Sequence, residues 1–532
     1  MLIKTKLPRG KGVDEPLYHE NHKRPVSRRD FIGTGLMTGS AVIAVPSLVS
    51  AAVSNDFRTL ATGPVGTGCA LASGAATTGG KIPFIAFDLA GGANLVGSEA
   101  LVGKAGGPLD LLSTAGYGRL GLPGNMVPTA AGANVSTAIG LPWHTDGAIL
   151  RGILEKTTPA TQALTNGAVI AARSENDTGN NPHNPLYGVA RMGAKGSLLT
   201  LIGSQSTVSG GNSAAPAALV DAALRPTKVD RAADVRGLVD TSALQALFTN
   251  PLDAVDVLEY MARVSGGVTP GTVGGQLQSI ATKSAMDADI KYGLRCGYVK
   301  SAFNASEFGN PAQLDADADT RINGGIFTAA EYTADAEFRK TAAVMKTVLT
   351  GFAAAGTITM GGYDYHDGTR ATGEVRNLRA GRCIGAVLEF ARILNRPVMI
   401  YVFSDGSVSS TNTADNSTNG RGKFGWQGDN QATSASLMIV FDPRERPTMV
   451  QQQIGFYKAD GTVETTSSAA ANAVNLLANT VVLNYAALHG QVGVFDTTFV
   501  GPVAHGLGNA AALQKLTAFA PLKSVGPTGE VI

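Results

Sequence analysis

Apolar residues fall along this chain in two patterns: short unbroken runs, and longer stretches at helical spacing. The run Ile82-Pro83-Phe84-Ile85-Ala86-Phe87 is bounded by turn residues, which suits a strand covered on both faces. It delivers the glycine-rich, polar segment Asp88 to Asn94. The same arrangement recurs. Ala168 to Ala172 leads into Arg173-Ser174-Glu175-Asn176-Asp177, and Leu198 to Ile202 leads into Gly203-Ser204. Thr357 to Met360 leads into Gly361-Gly362-Tyr363-Asp364-Tyr365-His366-Asp367. Between strands of this kind, Val375, Leu378, Ile384, Val387, Leu388, Ala391 and Leu394 form one apolar helical stripe. Asn395-Arg396-Pro397 stops that helix, and Val398 to Phe403 forms a further buried strand ending in Ser404-Asp405-Gly406. Helices alternating with apolar strands predict an α/β fold with a mostly parallel sheet. In such sheets ligands bind beyond the carboxyl ends of the strands, where the polar segments named above fall.

Two stretches break the pattern. Residues 215–345 show few strand signals and read as a mainly helical insertion, with helices at Leu219–Leu224, Pro251–Val264 and Ala330–Thr350. Asn250 before Pro251 supplies a cap followed by proline in the first turn. Residues 409–431 are rich in Ser, Thr, Asn and Gly and read as a long loop.

The amino-terminal segment has a different logic. Ser27-Arg28-Arg29-Asp30-Phe31-Ile32 precedes a modestly apolar run to Val49, then the small residues Ser50-Ala51-Ala52. A basic region, an apolar region and a small-residue cleavage site in that order predict a signal peptide over residues 1–51. The Arg28-Arg29 pair marks it for the twin-arginine translocase, the partner this reading implies, with a periplasmic or extracellular destination. An uncleaved membrane anchor or a chance arginine pair is the alternative. Residues 52–80 read as an irregular lead-in to an α/β domain over 81–532. No later apolar stretch reaches the roughly 20 residues of a membrane span.

Composition narrows the function classes. The 532 residues carry a net charge of +2, are 44% hydrophobic and 16% charged, and include 66 glycines. That supports a large buried core, and no basic stripe with interleaved aromatics favours nucleic acid. Cys69, Cys296 and Cys383 form no C-x-x-C pair, so the chain is not a disulfide scaffold.

Four groups of residues are candidates for chemistry. Asp364 and His366, two apart past a strand end, can converge on one divalent cation, since imidazole and carboxylate both serve such ions. They are equally readable as solvated loop residues. Asp405 can bind a metal, orient a base, or begin a turn with Gly406. Asp429, in Trp426-Gln427-Gly428-Asp429-Asn430, is a further ligand or part of a hydrophilic turn. The segment from Ser174 through Asn181 and His183 is a substrate-contacting loop or an Asx-turn-rich surface loop. No G-x-S-x-G elbow or H-E-x-x-H is present, and His144, His489 and His505 read as structural.

The order of these motifs resembles the DUF1501 family of twin-arginine-exported bacterial proteins, itself distantly similar to the sulfatase and alkaline-phosphatase superfamily. The resemblance runs from Asp88–Asn94 through Gly361–His366 and Ser404–Val408 to Gly428-Asp429-Asn430, and is close only at Asp364–His366. It implies an alkaline-phosphatase-like three-layer sandwich and a divalent metal held by Asp364, His366, Asp405, Asp429 and Asn94. It implies a metal-dependent phosphate or sulfate ester hydrolase, with Ser174 or Ser204 as candidate nucleophile and Asn181 and His183 near the substrate. Asn94 and Asn430 stand where the family has Asp and His, and the family's Arg after the Ser404 strand end is missing. A non-catalytic exported binding or assembly protein is therefore the alternative.

Overall fold

The structure, a computed structural model, describes residues 80–174, 181, 183–239, 257–258 and 311–532. Arg28, Arg29, the signal segment, Pro251–Val264 apart from Val257 and Leu258, Glu175–Asn180, Cys69 and Cys296 lie outside the described residues. Almost all described residues belong to one compact unit, Ala70–Asp240 with Phe308–Ile532; a second unit comprises Met1–Cys69 and Thr241–Glu307.

In chain order the strands are β1 (Phe84–Gly92), β2 (Val135–Ser136), β3 (Trp143–His144), β4 (Thr165–Ala171), β5 (Leu199–Gly203) and β6 (Thr227–Lys228). They continue with β7 (Ala353–Met360), β8 (Val398–Gly406), β9 (Val408–Ala414), β10 (Phe424–Asp429), β11 (Ala435–Phe441) and β12 (Gln453–Ile454). The helices that matter below are α1 (Thr114–Arg119), α2 (Ala148–Lys156), α3 (Leu186–Arg191), α4 (Ala336–Leu349), α5 (Ala371–Ile393) and α6 (Val474–Leu488).

Eight strands form one sheet in the order β12-β4-β11-β8-β1-β7-β5-β6. It is mostly parallel, as the apolar runs predict; β11 alone runs antiparallel, against both β4 and β8. The fold is therefore α/β with a large, mostly parallel sheet. Phe84, Ala86, Tyr401 and Phe403 share a core with Leu186 and Val189 of α3 and Val481 and Tyr485 of α6. On β7, Gly356 lies under α4, where a β-carbon would stand 2.8 Å from Val344 Cγ1.

Three sequence expectations need correction. Residues 409–431 are not a loop: β9 and β10 pair as an antiparallel hairpin, held by burial of Val408, Ser410 and Trp426. The 215–345 region is not simply a helical insertion in its described parts. Two short 3-10 turns replace the Leu219–Leu224 helix, Pro216 preceding the first, and Thr227–Lys228 adds an edge strand beside β5. Helix α4 packs on β7 as part of the main α/β unit. The stripe on α5 is also displaced at its start, where Val375 is exposed while Glu374 and Asn377 are buried.

That burial follows from how α5 meets α2. A β-carbon on Gly381 would lie 2.1 Å from Ile149 O, and one on Gly152 would lie 2.3 Å from Leu378 O. The helices touch backbone to backbone, and small residues make the approach possible.

Candidate metal centre

The loop after β7 is organised by alternation. Tyr363 and Tyr365 turn inward and are buried. The Tyr363 hydroxyl donates to Arg376 O at 2.9 Å; Tyr365 Oη accepts from the Asn94 N–H at 2.8 Å and donates to Asn377 Oδ1 at 3.2 Å. Their neighbours Asp364 and His366 consequently face outward. Gly362 takes the left-handed conformation, φ +83°, that this departure from the strand requires.

Asp429 reaches the same place from another element, the last residue of β10. Backbone hydrogen bonds join the two segments: Gly368 N–H donates to Trp426 O at 2.8 Å, and Trp426 N–H to Thr369 O at 3.0 Å. Asp364, His366 and Asp429 thereby offer ligand atoms within 4.8 Å of one another. His366 Nδ1 stands 2.5 Å from Asp364 Oδ1 and 3.7 Å from Asp429 Oδ1. The side chains are 54%, 38% and 47% exposed for Asp364, His366 and Asp429, so the group opens to solvent.

Two carboxylates and an imidazole could hold one divalent cation and leave coordination positions open, the donor set of a three-ligand site. Nδ1 and the Asp364 carboxylate lie within direct contact of one another. A cation would bind at Nδ1, between the two carboxylates, or at Nε2.

The other predicted ligands lie elsewhere. Asn94 is fully buried, and its Oδ1 accepts from Ser98 Oγ at 2.8 Å. Asp405 is fully buried as well and stands outside the group of three. Its Oδ1 accepts from Ser213 Oγ at 2.5 Å and its Oδ2 from Asn212 Nδ2 at 2.8 Å. Asn430 Oδ1 accepts the Ala432 N–H at 2.9 Å, capping a short turn.

The candidate nucleophiles and substrate residues are buried too. Ser174 Oγ accepts from Ser434 Oγ at 3.3 Å, and Ser204 Oγ accepts the Thr359 N–H at 2.7 Å, between β5 and β7. Asn181 Nδ2 donates to Asp405 O at 2.7 Å. His183 stacks on Phe403, ring centroids 6.0 Å apart, and neither ring nitrogen has a hydrogen-bond partner among the described residues. Burial pushes its pKa down to about 4, so it is neutral at ordinary pH.

Asp88 was missed by sequence reasoning. On β1 its register partners are Thr359 of β7 and Phe403 of β8, and its Oδ2 accepts the N–H groups of Asn212 and Ser213 at 2.7 and 2.8 Å. Ser213 Oγ also lies 3.2 Å from Asp88 Oδ1, so one hydroxyl bridges Asp88 and Asp405. Burial, then the Asp405 charge, pushes the Asp88 carboxyl up to about 7 against the pull of these hydrogen bonds. The available signal was an acidic residue ending a wholly apolar strand.

A groove of about 730 Å³ runs between α1 and the β9–β10 hairpin, and none of the three residues of the exposed group lines it. Arg119, Ser409, Asn412, Phe424 and Asn430 line it, Asn430 directly following Asp429. Among the described residues no helix is long and apolar enough to cross a membrane. No protein-family model matches the chain, and no curated protein matches it.

Proposed function

We propose that this is an exported, metal-dependent hydrolase of phosphate or sulfate esters, of the DUF1501 type its motifs resemble. One observation carries the reading. Asp364, His366 and Asp429, from two separate elements near the carboxyl edge of the sheet, converge in an exposed group suited to a divalent cation. A cation there would polarise an ester oxygen and acidify water. Arg119 and the hydroxyl and amide groups of the groove between α1 and the hairpin, which reaches Asn430 next to Asp429 in the chain, are the candidates to receive the rest of the ester. Core packing by α3 and α6, and by α4 over Gly356, supports the three-layer, alkaline-phosphatase-like framework.

The reading is of one cation, not two. Asn94 and Asn430, the positions at which the family would add ligands, have their side-chain oxygens committed to Ser98 and Ala432. The same commitment favours a second reading, an exported protein that binds a metal or ligand without turnover. Purified protein should hold about one equivalent of Zn²⁺ or Mn²⁺ and hydrolyse an aryl phosphate or aryl sulfate. Asp364→Ala and Asp429→Ala should each abolish stoichiometric binding and lower turnover at least about a hundredfold. Metal binding without ester turnover would select the second reading; no bound metal would eliminate both metal readings.

A further inference from the structure

The hairpin that carries Asp429 is anchored to the body of the protein by charge. Lys423, at the foot of β10, has no exposed side chain; its Nζ donates to Glu374 Oε1 at 2.8 Å and to Asp146 O at 2.6 Å. The same Glu374 oxygen accepts from Arg370 Nε at 2.9 Å and Nη2 at 2.8 Å, while Oε2 accepts from Arg151 Nη2 at 2.8 Å. Arg370 in turn lies over the Trp426 ring, 4.6 Å from its centre, and donates to Ser98 Oγ at 2.8 Å. Trp426 is the residue whose backbone grips the Asp364–His366 loop. One buried carboxylate thus touches the cations that hold both sides of the metal centre.

We infer that Glu374, acting through Lys423 and Arg370, is a positioning residue that sets the distance of Asp429 from Asp364 and His366. This rests on the metal reading of those three residues. Asp429 lies three residues beyond Trp426, about 10 Å at about 3.3 Å per residue. A tilt of about 10° at Trp426 moves it by about 2 Å, well past the roughly 0.5 Å within which a ligand set must be held. A buried ion network is weak evidence for stability, since apolar replacements serve as well. Its fixed geometry is what the site needs.

The test is a calorimetric Zn²⁺ titration of the full chain, with the melting temperature of the metal-free form measured alongside. Lys423→Met keeps the unbranched stem, leaves Glu374 paired with Arg370 and Arg151, and leaves the buried Glu99 hydrogen-bonded to the Ile149 N–H and Asn377 Nδ2. It should retain a cooperative metal-free melt while Zn²⁺ affinity falls about 10- to 100-fold. Lys423→Arg should recover part of that loss. Trp426→Phe, which keeps a buried ring and weakens the Arg370 contact, should lose affinity in the same direction and serves if Lys423→Met does not fold. Wild-type affinity in folded Lys423→Met, or in Trp426→Phe, overturns the positioning role and leaves the metal reading intact. Absence of Zn²⁺ binding by the wild type overturns the metal reading itself, and the inference with it.

Discussion

Asp88 shows at the residue scale what a buried carboxyl does to a fold. An unfolded Asp titrates near about 3.9, whereas burial and the Asp405 charge hold Asp88 at about 7. Between those values the folded chain binds the proton and the unfolded chain does not, so this group lowers stability as pH rises. Its contribution is most favourable below about 4, declines through the window, and is fully lost above about 7. Asp88→Asn imitates the protonated acid: its oxygen can accept from Asn212 and Ser213 while its amide donates toward Ser213 Oγ. The variant should melt at a temperature less dependent on pH between 4 and 7, and on the order of 5 °C above wild type at pH 8. Melting curves that run parallel for the two proteins across that window would mean that Asp88 is ionised throughout. Nothing in the sequence announces this behaviour, because the groups that raise and lower the titration come from β8 and from a loop more than a hundred positions away.

Elements repeat the lesson in a different form. The strands β1, β4, β5, β7 and β8 were legible as apolar runs because burial on both faces leaves no room for alternation. The β9–β10 hairpin was not legible, since its Ser, Thr and Asn side chains carry a loop composition while Trp426 and Lys423 do the anchoring. Asp364 and His366 could be singled out from their spacing, whereas Asp405 looked equally suitable until its burial and partners were known. The start of α5 misled for the same reason: Glu374 is inside because Arg370, Lys423 and Arg151 surround it. Where α5 crosses α2, the glycines are a packing requirement. Gly381→Ala would gain up to about 1 kcal/mol of helix propensity. It would also place a methyl 2.1 Å from Ile149 O, and overpacking against backbone costs about 1–3 kcal/mol or more. The clash should win, lowering the melting temperature by several degrees; an unchanged or higher value would show that α2 yields freely.

For the whole molecule, the order of strands constrains when folding can finish. β1 lies between β7 and β8, so Phe84 pairs with Ala355 on one side and Met399 on the other. The central strand thus waits for residues some three hundred positions later, and β12 and α6 close the sheet later still. Sheets built from such distant pairs fold slowly and expose apolar surface until they are complete. If the chain is exported, as proposed, crossing as an extended polypeptide would leave these distant pairings to form outside. A route that accepts the finished fold, with any cation already in place, is the one the proposed reading implies. Arg28 and Arg29 are the residues that would assign it to that route. Replacing both with Lys preserves the charge of the segment and removes the paired guanidinium groups, which bind partners in a way ammonium groups do not. The doubly substituted chain should accumulate, folded, in the cytoplasm, with the periplasmic fraction falling at least about tenfold by immunoblot of separated compartments. An equal periplasmic yield from both forms would assign export to another route and remove the argument for metal loading before transit.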